Sequence, residues 1–121
     1  MRVVVVSNDL VRLSFLGALL RDVPALERAM AHGPGVARDV VGWPVETEAI
    51  EIAREAGVEV GLSLVAHSDG TQTVLRVAVA APANGWSRVL DLRLFQHGDH
   101  GRFRAGVAAA AFLVEVLGEE N

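Results

Sequence analysis

A chain of 121 residues, 51% of them apolar, is long enough to bury one core, and we expect a single domain over residues 1–121. The formal net charge of -4 and the scattered carboxylates argue against nucleic-acid binding, which requires clustered basic residues. The chain contains no cysteine, lysine or tyrosine. Disulfides, thiolate catalysis, Ser-Lys dyads, Lys imines and Tyr acids are therefore excluded within it.

The longest apolar runs are residues 3–6 and 107–114, and both are far shorter than the roughly 20 residues that cross a bilayer. The chain does not open with a basic region followed by a signal-like apolar region. These two observations lead us to expect a soluble, cytoplasmic protein with no membrane partner.

The first half of the chain predicts one strand followed by helices. Residues 2–6 form a β-branched run that is typical of a strand buried on both faces. Ser7, Asn8 and Asp9 follow as helix-capping residues. The spacing of apolar residues predicts helices over residues 10–20, 24–31 and 44–56, and residues 36–41 are ambiguous.

The helix over residues 44–56 is predicted to be amphipathic and to end at Gly57, which acts as a C-terminal cap. Its two isoleucines, Ile50 and Ile52, are expected to face the core. Its four glutamates are expected to face water: Glu46, Glu48, Glu51 and Glu55.

The second half predicts a three-stranded meander and a closing helix. The strands are expected near residues 58–64, 71–81 and 87–95, with turns at Ser68-Asp69-Gly70 and at residues 82–85. A helix over about residues 100–117 follows, and it carries Phe103, Val107, Ala110 and Val114 on one face. The fold class predicted is α/β, with a mixed sheet that includes the meander and with helices covering the faces.

Several short motifs follow one another in a recognisable order. They are Val60-Gly61-Leu62-Ser63-Leu64, Gly70-Thr71 with residues 74–80, residues 95–102, and Arg104-Ala105. In this order residues 53–117 resemble the C-terminal domain of the CinA (competence-damage-inducible) family, whose members include nicotinamide-nucleotide amidases. Upstream, Val6-Ser7-Asn8-Asp9 is similar to the YSNE motif of that family.

Departures from the family pattern imply that this chain lacks the amidase activity. The Ser-Cys-Thr-Gly-Gly stretch that supplies the nucleophile would lie before Met1, and the family's Tyr and Lys fall on Val6 and Val11. The glycine-rich loop is shortened to residues 66–70. Because activating a serine requires a base within hydrogen-bond reach, we expect a truncated relative without catalytic residues.

Histidines and carboxylates supply the remaining candidate site. In an up-down-up meander the first and third strands end at the same edge of the sheet, which would gather His67, Asp69, His97, Asp99 and His100. Such a cluster could hold a divalent metal or perform acid–base chemistry. The alternative is a set of polar loop residues near solvent, with Asp69 in a turn and Asp99 capping a helix. We predict no bound metal and no cofactor.

The residues proposed for ligand binding belong to this edge and to the end of the first strand. There, backbone amides at a helix N-terminus could bind an anion, although plain capping is the simpler interpretation. The full set is Ser7, Asn8, Asp9, His67, Ser68, Asp69, His97, Asp99 and His100.

Three functions fit these observations. The first is a non-catalytic relative of the amidase domain that binds a small ligand or a companion protein. The second is a metal- or His-dependent hydrolase that uses His67, Asp69, His97, Asp99 and His100, and the third is a structural assembly subunit.

A homo-oligomer is expected because the last helix is apolar nearly all round. The interface is expected at this helix or at the edge of the strand over residues 3–6. A glutamate placed at Ala109 is expected to disrupt the assembly if the helix forms the contact.

Overall fold

A five-stranded mixed sheet forms the centre of the computed structural model, which describes residues 3–7, 36–37, 45–69, 72–94 and 98–120. The strand order is β2-β1-β3-β4-β5. The strands are β1 (Val3–Ser7), β2 (Val36–Ala37), β3 (Val60–Asp69), β4 (Gln72–Ala81) and β5 (Trp86–Leu94), and the helices are α1 (Val45–Ala56) and α2 (Gly98–Glu120). The predicted α/β class with a mixed sheet is confirmed.

Strand β1 lies inside the sheet and pairs in parallel with both β2 and β3. Its four valines are 8% exposed or less, which confirms a strand buried on both faces. β2 pairs only with Val6 and Ser7 of β1, whereas β3 pairs along all of β1, so the interface expected at this strand stays a prediction. Residues 10–20 and 24–31, where two helices are predicted, lie outside the described residues.

Strands β3, β4 and β5 form the predicted antiparallel meander. Strand β3 includes Ser68 and Asp69, which were expected in the turn, and these residues pair with Thr73 and Gln72 of β4. The second connection is a 3₁₀ turn over Pro82–Asn84, and Gly85 follows it with a left-handed φ of 73°. Leu90, Leu92 and Leu94 of β5 pack on the core side as predicted.

The two sheet faces are covered by different helices. On one face, α2 packs against β3, β4 and β5, and its buried side carries Ala105, Ala109, Leu113 and Val116. On the other face, α1 packs Ile52 against β1 and Ala49 against β4. Helix α1 thus lies across the sheet, in contact with β1, β3, β4 and β5.

Gly57 ends α1 as predicted. Its φ is 66°, and its backbone N–H donates to the carbonyl oxygen of Arg54 at 3.2 Å, while the N–H of Val58 donates to Ala53 at 3.1 Å. These two bonds form a Schellman motif. Val58 then packs beside Ile52, so the turn that stops the helix also directs the chain into β3.

One prediction about α1 is wrong, since Glu48 is 0% exposed whereas Glu46, Glu51 and Glu55 face solvent. The buried residues of α1 recur at helical spacing, three and four apart. Glu48 lies on this stripe, so its position on the helix, rather than its charge, determines that it is buried. The stripe consists of Val45, Glu48, Ala49, Ile52 and Ala53.

Helix α2 is longer than expected and begins at Gly98, so Asp99 lies inside the first turn rather than before the helix. Two residues of the predicted apolar face, Phe103 and Val114, point outward and are 46% and 44% exposed. Ala109 is fully buried on the opposite side. A glutamate at Ala109 would therefore disrupt the core and would not report on assembly.

Candidate functional site

Within the described residues, β1 ends at Ser7, well before its neighbour β3 ends. The last residue of β1, Ser7, pairs with Leu64, whereas β3 continues through residues 65–69 and ends at Asp69. At roughly 3.3 Å per residue, β3 extends about 17 Å past the end of β1. This difference in length makes a step at the edge of the sheet, which we call the β1/β3 step.

The β1/β3 step coincides with a reversal of strand order. The chain passes from β1 to β2 on one side of β1 and then returns to β3 on the other side. In open α/β sheets, ligands bind in the crevice outside the carboxyl ends of strands at such a switch point. The order of the strands therefore gives this edge a geometry suited to a ligand.

Ser7 is 0% exposed at the base of the step. Side chains alternate along a strand, and Val3 and Val5 belong to the core beneath α2, so Ser7 lies on the α2 face. Asn8 and Asp9 lie outside the described residues. The Ser7 side chain is therefore buried at the carboxyl end of β1, next to the sheet edge.

The histidine and carboxylate candidates belong to the far end of the step. His67, Ser68 and Asp69 are the last three residues of β3, so Ser68 and Asp69 belong to the strand rather than to the predicted turn. The antiparallel ladder extends the strand, because His67 pairs with Val74. Only the backbone of these three residues is described.

The meander brings the ends of β3 and β5 to one edge, as predicted. Ser68 pairs with Thr73, which in turn pairs with Leu94. Helix α2 begins four residues after Leu94, so Asp99 and the exposed His100 lie in its first turn. His97 lies outside the described residues.

Ser7 is separate from the His and Asp candidates at the end of β3, because it lies about 17 Å from the level of Asp69 along the strands. Within the described side chains, no three His, Asp or Glu residues are placed to hold a metal ion. The side chains of His67, Asp69, His97 and Asp99 are not among those described.

No family model, curated protein or solved structure matches this chain. The resemblance to the CinA C-terminal domain therefore stays a prediction that depends on the short motifs. In the part of the chain that is described, neither helix is long and apolar enough to cross a membrane.

Two buried polar residues beneath α1 were not predicted from the sequence. Glu48 is on the core stripe of α1, and Ser63 is on the same face of β3. The Oγ atom of Ser63 is buried and has no hydrogen-bond partner among the described residues. The spacing of Glu48 from Val45 and Ile52 was the signal that could have identified its burial.

Proposed function

We propose that this chain is a non-catalytic relative of the CinA C-terminal domain and binds a small ligand at the β1/β3 step. The observation that carries this proposal is the end of β1 at Ser7, five residues short of the end of β3, at a reversal of strand order. The order α1-β3-β4-β5-α2 is compatible with the order of the motifs on which the resemblance depends.

The residues at this edge suit binding better than bond cleavage. Ser7 is buried, and the chain has no lysine, tyrosine or cysteine to serve as an alternative base, acid or nucleophile. The backbone brings three polar residues to this edge, His67 and Asp69 at the end of β3 and His100 in the first turn of α2. Residues of these types can orient a bound ligand through hydrogen bonds.

The purified chain is expected to release no ammonia from nicotinamide mononucleotide. The test is an ammonia assay, and turnover at about 1 per second, a typical enzymatic rate, would show that the non-catalytic proposal is wrong. Titration calorimetry with the same nucleotide measures binding separately from turnover. Saturable binding without ammonia release is the expected result.

The location of the ligand is tested by His67→Ala, which changes the end of β3. We expect a loss of affinity of about tenfold, equivalent to one charge-assisted hydrogen bond. The control is Arg54→Ala, which removes an exposed side chain in the last turn of α1. Equal affinities for the two variants would place the ligand elsewhere, and absence of binding would count against this ligand class.

A metal- or His-dependent hydrolase is the alternative proposal for the same edge. Its metal-dependent form requires a stoichiometric divalent ion in the purified protein, which elemental analysis measures. Loss of that ion on His97→Ala or His100→Ala would favour the hydrolase over the binding domain.

A further inference from the structure

The outward side of α2 carries an apolar stripe that the rest of the described chain does not cover. Phe103 and Val114 are the most exposed large apolar residues there, at 46% and 44%. Between them lie Val107, which is half-buried, and Ala111, which is exposed. These residues recur at steps of three and four, so they form one ridge along the helix.

The third exposed large apolar residue, Val89, does not form such a ridge. It is 37% exposed on β5, and its neighbours on the same face of that strand are Ser87 and Asp91. Asp91 pairs with Arg76 at 2.8 Å, so this part of the sheet surface is polar. Among the described residues, the α2 stripe is therefore the continuous apolar surface.

The charges beside the stripe are arranged for self-association. Arg104 and Glu115 are exposed on the same flank of α2, and neither forms an ion pair with a described residue. Arg104 lies five residues before Ala109 and Glu115 lies six residues after it. A second α2 helix in antiparallel orientation, related by a twofold axis at the level of Ala109, would place each Arg104 beside the Glu115 of the other copy.

The apolar residues obey the same symmetry. Val107 lies two residues before Ala109, and Ala111 lies two residues after it. Phe103 lies six residues before Ala109, and Val114 lies five residues after it. An offset of one residue is only about 1.5 Å along a helix. Each Phe103 would therefore pack against the partner copy's Val114, and the small Ala111 allows the two helices to approach within the usual 8–10 Å.

We propose that α2 pairs with α2 of a second copy of this chain in an antiparallel, twofold-symmetric dimer. The contact is formed by Phe103, Val107, Ala111 and Val114, and two Arg104–Glu115 ion pairs flank it. The stripe from Phe103 to Val114 is about 17 Å long on a helix about 11 Å wide. This area is below the roughly 800 Å² per partner of a standard interface, so the dimer is expected to dissociate at micromolar concentrations.

Light scattering across a concentration series tests the dimer. The mass is expected to rise from 12.8 kDa towards twice that value as the concentration passes about 10 µM. A mass of 12.8 kDa at about 500 µM would overturn the proposal. Ala111→Glu should abolish the rise, whereas Ala83→Glu, a matched change at an exposed site between β4 and β5, should not.

Charge reversal identifies the partner as a second copy. Arg104→Glu and Glu115→Arg are each expected to weaken the dimer about tenfold, because attraction across two exposed pairs becomes repulsion. The double variant is expected to restore the original affinity. A dimer that both single reversals leave unchanged, or that the double variant fails to restore, would overturn the α2 pairing.

Crosslinking tests the dimer independently of the mass from light scattering. The chain has no cysteine, so Ala111→Cys introduces a single thiol on the stripe and Ala83→Cys introduces one outside it. A short bismaleimide is expected to crosslink copies of the first variant and to leave the second monomeric. Equal crosslinking of the two variants would contradict the proposal.

Discussion

Gly61→Ala is expected to lower the free energy of unfolding by about 3 kcal/mol, the upper part of the range for overpacked cores. Helix α1 crosses β3 directly above this glycine. A Cβ atom at this position would collide with the carbonyl oxygen of Ala49 and would lie 3.1 Å from the Cβ of Ala53. Because the first obstacle is backbone, the whole helix would have to move away from the sheet.

Chemical denaturation measures this loss, and thermal unfolding should show a decrease in Tm of about 10 °C. The matched control is Gly118→Ala in the last turn of α2, where an added Cβ meets no atom within 4 Å. That substitution is expected to be neutral or stabilising by up to about 1 kcal/mol. Similar losses for the two variants would show that α1 does not approach β3 as closely as described.

Leu113→Ala is expected to cost about 3 kcal/mol of unfolding free energy. Leu113 is 0% exposed and is among the largest fully buried side chains. It belongs to the main core, in which α2 packs against β3, β4 and β5. Truncation removes buried methyl groups and leaves a cavity beneath α2, and the preceding core residue on the helix, Ala109, is too small to fill it.

The adjacent substitution Val114→Ala separates packing within the monomer from association. Val114 is 44% exposed, so its truncation should change the monomer's unfolding free energy by less than about 0.5 kcal/mol. Urea unfolding of both variants below the dimerisation concentration tests this difference. A small loss for Leu113→Ala, or a large one for Val114→Ala, would mean that the faces of α2 are assigned the wrong way round.

The parts of the fold that local patterns determine were predictable from sequence. β-branched content identified β1, the alternation in β5 identified its core side, and Gly57 marked the end of α1. Each of these signals comes from residues that lie close together in the sequence. Glu48 was misassigned because its residue type was given more weight than its position on the stripe.

Helix α2 shows why an alanine-rich helix is difficult to orient from sequence. It has few charges, so no polar stripe marks its solvent side. The larger residues Phe103 and Val114 suggested a core face, but the core accepts the side with Ala105 and Ala109. Small residues let a helix lie close to a sheet, and this close packing depends on residues far away in the chain.

It was predictable that β3 and β5 end at the same edge of the sheet, whereas the β1/β3 step was not predictable. A meander with short turns fixes where β3 and β5 end, and this required only local turn signals. The step depends on the register of Ser7 against Leu64. No turn sets that register, since the two strands are distant in sequence and pair through the packing of their buried faces.

The pairing of β1 with β3 also affects the order in which the chain folds. Strands β3, β4 and β5 are joined by connections of a few residues, so their association closes only small loops. Val3 reaches Val60 only after nearly half the chain has been brought into one loop, and the entropy lost in closing a loop grows with its length. We therefore expect amide protons of the meander to become protected before those of β1 in pulsed hydrogen exchange during refolding. Simultaneous protection would mean that the parallel pair forms part of the folding nucleus.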